Sequence, residues 1–305
     1  MPWLVNEITI KYNRMKTSKI AIVVSVIIGI VISSCSKDRI ETELKSYESM
    51  QDYFDSKKPE EQEFIIDTLG SCPITGMLGT RICVAKTSLQ LPEGDSVYFP
   101  YILKLVEIYS PQDAIYYSFS HVEQNGIYSC KGQTRVRYFK NDVELSLRSS
   151  QAWELEMPVE APEPNFNVFL GTSQEPIRFE KSAQLFDTTL YGLSAVISQT
   201  GWSAAASSID MSDVNTLSFS STTDNLETVT MYVYLSEYES LIHVQSAQSI
   251  AVPTGTSVSL VVMAIDSSDQ LFSYTKDFVV SADTTVDVSL SETSDEVLTA
   301  VLEGL

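Results

Sequence analysis

Short segments rich in alternating and β-branched hydrophobic residues recur through the first half of the chain. They lie at residues 64–67, 74–75, 80–84, 96–99, 102–108, 114–118, 134–139 and 143–147. Turns containing Gly, Pro or Asn-Asp separate them, as at Pro92-Glu-Gly94 and Asn141-Asp142. Short strands at this spacing are typical of an antiparallel sandwich and not of alternating strands and helices. The pattern therefore predicts a β-sandwich domain over residues 61–172.

A second group of strand signals occupies the last part of the chain. Tyr232 and Tyr234 alternate with apolar neighbours, so the two tyrosines share one face of a strand. Residues 260–265 are continuously apolar, as expected of a strand that is covered on both faces. These patterns predict a second β-domain over residues 226–305.

The remaining stretches predict a connection, a tether and a helix. Residues 173–225 scatter aromatic side chains among Ser, Thr, Gln and Asp and predict an irregular connection. Residues 35–60 are polar, carry a loose helical stripe and predict a partly helical tether. Thr293 and Glu296 form a capping-box pattern before a closing helix. Its predicted apolar face comprises Val297, Leu298, Val301, Leu302 and Leu305.

These elements together predict an all-β fold of two tandem antiparallel β-sandwich domains. The short tether precedes them, and the short C-terminal helix is expected to pack on its own sandwich.

The apolar run near the start of the chain differs from the strand signals because of the residues on either side of it. Residues 20–32 are apolar apart from one serine and one glycine, basic residues precede them, and Ser33-Ser34-Cys35 follows. This arrangement resembles a secretory signal peptide with a bacterial lipobox. The resemblance implies removal of residues 1–34 and diacylation of Cys35. The run is shorter than the ~20 residues that span a bilayer, which disfavours a transmembrane anchor. Met15 opens a normal signal-peptide start, so we expect translation to begin there.

The first predicted sandwich also resembles a known family. The resemblance is carried by Ile74 to Ile82, Leu91-Pro-Glu-Gly94, Leu103 to Ile108, Asp113 to Tyr116 and Gly132 to Leu147. These segments are similar to an extracellular β-sandwich of Bacteroidota surface lipoproteins, which is distantly similar to the sandwich of netrin receptors and ankyrins. The resemblance covers residues 64 to about 172 and implies a scaffold without catalytic residues.

The charge of the chain limits its partners. Without residues 1–34 the sequence has 16 basic and 39 acidic residues, a net charge of −23. Such an acidic protein repels phosphate backbones, so we expect no nucleic-acid partner. It is not attracted to anionic lipid either, so membrane attachment is expected to depend on the acyl chains at Cys35. We expect an exported protein anchored to the outer membrane, with display at the cell surface left open.

Three further cysteines are expected in an oxidising compartment. If residues 74–75 and 80–81 form a hairpin, position 72 lies opposite position 83. This register predicts a Cys72–Cys83 disulfide, although Cys130 could replace either partner.

Groups with the spacing of a catalytic or metal site are not evident in the sequence. His121 lies near Glu123 and His243 near Glu239, but neither spacing matches a known zinc motif. We therefore expect no catalytic residues, no metal and no cofactor. Aromatic side chains can anchor a sugar or a protein, and the candidates are Trp202, Tyr232 and Tyr234. Alternation along a strand places about half of such aromatics inside, so packing in the core is the favoured role for them, and Trp202 in its Gly-Trp-Ser setting is the least core-like.

These observations favour a lipoprotein with a non-catalytic binding or scaffolding role in the cell envelope. Its expected partner is an envelope protein or a glycan. The alternative is a fimbrial subunit of the donor-strand type, which would require a processing site such as Arg39 and a first strand that can be vacated. A hydrolase with dispersed residues is a third and weaker hypothesis.

Overall fold

A computed structural model describes residues 47–67, 72–123, 126–172 and 176–305, and Tyr47 to Leu305 form one compact unit. The predicted signal peptide, Cys35 and the start of the predicted tether lie outside the described residues. Among the described helices, none has the length and apolar character needed to cross a bilayer.

The helices in this part of the chain are α1 Met50–Lys57, α2 Pro111–Tyr116 and α3 Asp295–Glu303. The strand predicted at 114–118 is wrong, because Ser110 caps a helix that begins at Pro111. The strands up to residue 171 are β1 Gln62–Ile66, β2 Ile74–Thr75, β3 Arg81–Cys83, β4 Leu89–Gln90, β5 Tyr101–Ile108, β6 Val122–Glu123, β7 Gly126–Lys140, β8 Val143–Leu147, β9 Trp153–Pro158 and β10 Asn167–Gly171. The later strands are β11 Phe179–Leu185, β12 Asp187–Thr188, β13 Gly192–Ile197, β14 Gly201–Ser208, β15 Val214–Ser220, β16 Thr230–Leu235, β17 Ser240–Val244, β18 Ile250–Pro253, β19 Thr256–Ile265, β20 Leu271–Val280, β21 Thr284–Asp287 and β22 Ser291–Glu292.

Two sheets form the first sandwich. Sheet I has the strand order β12-β13-β9-β3-β2, and sheet II has the order β1-β5-β7-β14-β10-β11. Alternate residues of each strand face the other sheet, as the pleat of a strand requires. The core between the sheets includes Leu103, Leu105 and Tyr138 from sheet II and Trp153 and Leu155 from sheet I.

Two further sheets form the second sandwich. Sheet III has the order β17-β16-β19-β20-β22, and sheet IV has the order β18-β15-β21. Met231, Val233 and Leu235 of β16 face the core between these sheets. Most pairs are antiparallel, as predicted, but β15 and β21 pair in parallel. The predicted all-β sandwich fold is therefore confirmed.

A third core lies between sheets II and III. Helices α1, α2 and α3 contribute buried side chains to it, and so do the outer faces of both sheets. The layers thus follow one another as sheet I, sheet II, helices, sheet III and sheet IV. The three cores contain most of the buried apolar side chains of the described residues.

The predicted irregular connection over residues 173–225 is wrong in its larger part. Strands β11, β12, β13, β14 and β15 lie there, and β14 pairs with both β7 and β10 within sheet II. Ala204, Ala205 and Ala206 are completely buried in β14. Small side chains occupy this strand because both of its faces are covered closely, and such residues do not produce a strong hydrophobic alternation.

The predicted tether ends earlier than expected. Ser49 caps α1 by accepting a hydrogen bond from the Asp52 amide at 3.1 Å. Tyr53 and Phe54 are buried in the third core. Lys57 Nζ lies 2.6 Å from Asp295 Oδ1 at the start of α3. Helix α1 is therefore part of the folded unit and not of a solvated spacer.

The C-terminal helix has the predicted apolar face but a different cap. Ser294 is the N-cap and accepts a hydrogen bond from the Val297 amide, whereas the Thr293 amide donates to the Leu271 carbonyl. Leu298 and Leu302 are buried, and Val297 is exposed. The helix packs within its own molecule, as expected, but against the other helices as well as a sandwich.

Candidate functional site

A cleft of about 210 Å³ lies where the two sandwiches meet. Its walls come from the end of β5, the start of α2, the middle of β7 and the β16–β17 region. The polar side chains that line it are Tyr109, Ser110, His121, Cys130, Lys131, Gln133, Tyr234 and Glu239. It combines polar groups from both sandwiches at one place, so we take it as the candidate site.

His121 joins the two sandwiches on the floor of this cleft. Its backbone amide donates to the Leu241 carbonyl at 2.6 Å, and the Leu241 amide donates to His121 Nδ1 at 3.0 Å. Because Nδ1 accepts a hydrogen bond, the neutral ring carries its proton on Nε2, which lies 2.9 Å from the side-chain amide of Gln133. The Gln133 oxygen is then assigned to face the ring. Both ring nitrogens are therefore used in structural contacts.

Burial keeps His121 neutral. It lowers the pKa of the imidazole from 6.5 to about 4, although the nearby carbonyl of Glu239 opposes this shift. A ring that loses its charge on burial and has both nitrogens hydrogen-bonded is a poor candidate for proton transfer to a ligand.

Cys130 also lines the cleft, but as a thiol. Its Sγ donates to the Gly132 carbonyl at 3.5 Å. Burial raises the pKa of Cys130 to about 12, so the thiolate is not populated at neutral pH. A cysteine nucleophile requires the thiolate or a base that accepts its proton. The geometry of Cys130 and His121 instead supports the contact between the sandwiches.

Accessible polar groups lie nearer the mouth of the cleft. Lys131 Nζ of β7 lies 3.0 Å from Glu239 Oε2 in the turn before β17. Tyr234 is half-buried beside this ion pair, and burial raises the pKa of its hydroxyl. An aromatic edge next to an ion pair can contact a polar ligand such as a sugar or a peptide.

Trp202 and Tyr232 are too deeply buried to anchor a ligand at the surface. Trp202 is only 4% exposed and packs edge-to-face against Phe119 and Tyr117, with ring centroids 4.9 and 5.2 Å away. Tyr232 is buried and stacks on the His243 ring at 4.7 Å. Both residues lie on strand faces that the third core covers. Of the three candidate aromatics, only Tyr234 borders the cleft.

The structure contains the Cys72–Cys83 disulfide, with Cα atoms 5.1 Å apart, and Cys130 is a buried free thiol. The hairpin register differs from the predicted one by one residue, because Ile74 pairs with Ile82. The loop therefore has three residues, Met77 to Gly79, and Gly79 has φ +101°. A glycine adopts this left-handed conformation without the steric cost that other residues incur.

Sequence reasoning missed the buried carboxylate of Glu107. Glu107 Oε2 accepts hydrogen bonds from the Leu78 amide at 2.9 Å and from Gln62 Nε2 at 2.7 Å, and Oε1 accepts one from the Thr80 amide at 2.9 Å. The signal was present, because Glu107 has the same parity along β5 as Leu103 and Leu105, which face the first core. This carboxylate is structural and holds the β2–β3 turn.

No group of three or more His, Cys, Asp or Glu side chains with metal-binding geometry occurs among the residues that the structure describes. No protein-family model, curated protein or solved structure matches the chain. The function must therefore be argued from the sequence and from the geometry of the described residues.

Proposed function

We propose that the protein is an outer-membrane lipoprotein, anchored through acylated Cys35, whose paired sandwiches have a non-catalytic binding or scaffolding role. The observation that carries this proposal is the position of α1. This helix follows Cys35 closely in the sequence, yet its Tyr53 and Phe54 are buried in the core between the sandwiches. An anchor at Cys35 would thus hold the folded unit close to the membrane, because only residues 36–46 separate the two.

The state of the cleft residues supports a non-catalytic role. The His121 ring nitrogens and the Cys130 thiol take part in hydrogen bonds within the protein. Acyl or glycosyl transfer requires a nucleophile, a base and an orienting group arranged around a position that the substrate can occupy. Turnover of an ester, peptide or glycan by the purified protein would contradict this part of the proposal.

Anchoring is tested by metabolic labelling with a fatty-acid analogue. The wild-type protein should carry the label and sediment with outer membranes, whereas Cys35→Ala should be unlabelled. Ser36→Ala is the matched control and should be labelled like the wild type. Equal labelling of Cys35→Ala and the wild type would refute the anchor.

Binding is tested by crosslinking on intact cells. The wild type should capture an envelope protein or a glycan, and the capture should weaken in Tyr234→Ala, which removes the aromatic wall of the cleft. Val279→Ala, at an exposed position of β20 in the second sandwich, is the control and should capture as the wild type does. Equal capture by both variants would exclude the cleft as the binding surface.

The fimbrial alternative makes a different demand on the fold. Donor-strand exchange requires a strand to leave its sheet, and β1 is an edge strand with β5 as its partner. Its five residues all pair with β5, and Tyr53 and Phe54 of the preceding helix α1 are buried. Vacating β1 would disturb both contacts, which favours the lipoprotein proposal. Filaments of this protein in electron micrographs of the cell surface would reverse that preference.

A further inference from the structure

Two neighbouring turns at one end of sheet I present large apolar side chains to solvent. Met77 and Leu78 form the tip of the β2–β3 turn, and Leu190 and Tyr191 form the tip of the β12–β13 turn. Leu190 is 92% exposed and Met77 is 85% exposed, while Leu78 and Tyr191 are more than half exposed. Clustered apolar side chains at exposed tips usually mark a contact surface. We call these four residues the apolar tips.

The two turns lie next to each other. Strand β9 separates them in sheet I, and Pro158 at its end pairs with Gly192 and lies against Gly79. The guanidinium carbon of Arg81 lies 4.4 Å from the centre of the Tyr191 ring and so connects the turns directly. The two turns therefore lie at the same end of sheet I, with Arg81 and Pro158 between them.

The hydrogen bonds that stabilise both turns do not involve the side chains of the apolar tips. In the first turn, the Met77 amide donates to Gln62 Oε1 at 2.8 Å, and the Leu78 amide donates to Glu107 Oε2. In the second, Thr189 Oγ1 accepts hydrogen bonds from the Tyr191 and Gly192 amides at 3.1 and 3.2 Å. The polar backbone groups named here are satisfied internally, so the tips can enter an apolar environment at little desolvation cost.

The distribution of charge along the chain indicates which part of the protein can approach an anionic membrane. Residues 209–305, which include the second sandwich, carry fifteen acidic residues and one basic residue, Lys276. Residues 47–208 carry twenty-one acidic residues and twelve basic ones, and are therefore much closer to balance. Sheet I is the layer farthest from sheets III and IV. Anionic headgroups would therefore repel the second sandwich more strongly than the part of the fold that carries the apolar tips.

The sequence before Tyr47 permits this orientation. Residues 36–46 separate Cys35 from the folded unit, and a chain of this length spans at most ~40 Å. Gln62, whose side chain holds the Met77 turn, follows shortly after α1. The Met77 turn is therefore held by a residue that follows shortly after the segment leading from the anchor, and protruding tips suit a soft lipid interface better than a flat protein surface.

We propose that the apolar tips insert into the headgroup–acyl boundary of the membrane that holds the protein, so that the less acidic first sandwich contacts the lipid through these turns. This inference rests on the proposed anchoring at Cys35. Insertion at two rigid tips would fix the orientation of the cleft relative to the membrane, which acyl chains alone would not do.

The experiment uses unacylated chain 35–305 attached synthetically to vesicles. Cys35 is coupled to a maleimide-bearing phospholipid in phosphatidylethanolamine–phosphatidylglycerol vesicles with brominated acyl chains. The coupling is directed to Cys35 because Cys72 and Cys83 are paired and Cys130 is buried. Leu190→Trp adds a fluorophore at a tip, and the native Trp153 and Trp202 are buried. Bromine should quench the added fluorescence roughly twofold if the tip reaches the acyl boundary.

Val279→Trp is the matched control, since Val279 is an exposed apolar position on the second sandwich. It should show no quenching by bromine. Adding Met77→Asp to Leu190→Trp should reduce the quenching towards the control level, because a charge in the neighbouring turn opposes insertion. Quenching of Leu190→Trp no greater than that of Val279→Trp would overturn the proposal, as would quenching that Met77→Asp leaves unchanged. Because the anchor is synthetic, these outcomes do not depend on whether cells acylate Cys35.

Discussion

At the scale of single residues, burial and not residue type separates structural side chains from functional ones. Glu107 is acidic but lies inside the first sandwich, where three donors surround its carboxylate. Trp202 is the type of residue that anchors ligands, yet it lies among aromatic rings of the third core. Substitutions at these two positions should therefore act on stability first.

Glu107→Gln should destabilise the protein by roughly 2 kcal/mol. The amide places an N–H group where the carboxylate accepts hydrogen bonds, so at least one donor of the β2–β3 turn loses its partner in a buried position. Urea unfolding measures the change. Glu63→Gln is the control, because Glu63 pairs with Lys104 at the surface and should change the stability by no more than about 0.5 kcal/mol. Equal midpoints for the two variants would contradict the role of Glu107.

Trp202→Ala should lower the free energy of unfolding by about 3–5 kcal/mol, because it leaves a cavity beside Phe119 and Tyr117. Thermal or urea unfolding checks this value. Leu190→Ala removes a side chain that is exposed at a tip and should change the stability by no more than about 0.5 kcal/mol. A stable Trp202→Ala protein would indicate that the third core is not packed as described.

At the scale of elements, the sandwiches are joined by backbone pairing around one histidine. His121, the residue before β6, exchanges two hydrogen bonds with Leu241 of β17 in sheet III. The His243 amide donates to Ser120 Oγ at 3.1 Å beside them. The Lys131–Glu239 ion pair crosses the same junction. The junction therefore depends on a neutral imidazole.

Stability should fall as the pH decreases from about 6.5 to about 4. The unfolded chain binds a proton at His121 in this interval, whereas the folded protein does not, because burial lowers the folded pKa to about 4. The loss from this residue is on the order of 3 kcal/mol. Burial also lowers the pKa of His243, which acts in the same direction, while the raised pKa of buried Asp113 opposes it. Urea unfolding at several pH values measures the slope.

His121→Asn is the variant that separates these contributions. Its side-chain oxygen can replace Nδ1 as the acceptor for the Leu241 amide, but it does not titrate. The variant should lose stability less steeply between pH 6.5 and pH 4 than the wild type. The same slope in both proteins would assign the pH dependence to other groups.

At the scale of the whole molecule, the third core makes the two sandwiches interdependent. Tyr232, Leu241, Val261 and Met263 of sheet III face this core and not the interior of the second sandwich. Separation of the sandwiches would expose these side chains to water, and the cost of exposing apolar area grows with the area exposed.

We therefore expect the folded unit to unfold in one transition. Near-ultraviolet and far-ultraviolet circular dichroism should give coincident curves in urea. A fragment of residues 209–305 should lack a cooperative transition, because only helix α3 would remain to cover the outer face of sheet III, without sheet II, α1 and α2. Two separated transitions of the intact chain, or cooperative unfolding of the fragment, would show that the sandwiches fold independently.

Sequence periodicity by itself determined the class of fold and several local features. The alternation of apolar residues identified several strands of each sandwich, since the side chains of a strand alternate between its faces, but it did not locate β9 to β15. The turn at Gly76 to Gly79 was sufficient to pair Cys72 with Cys83, even though the register is different by one residue. The apolar face of α3 followed from helical spacing.

Tertiary structure alone decided which faces are covered. Periodicity shows that Tyr232 and Tyr234 share a face, but not that helices and another sheet lie over Tyr232. For the same reason the sequence predicts a tether where α1 lies and an irregular connection where β14 lies. The candidate cleft could not be predicted, because its residues come together only when two sandwiches pack. Burial depends on neighbours that are distant in the chain, and a local pattern contains no information about them.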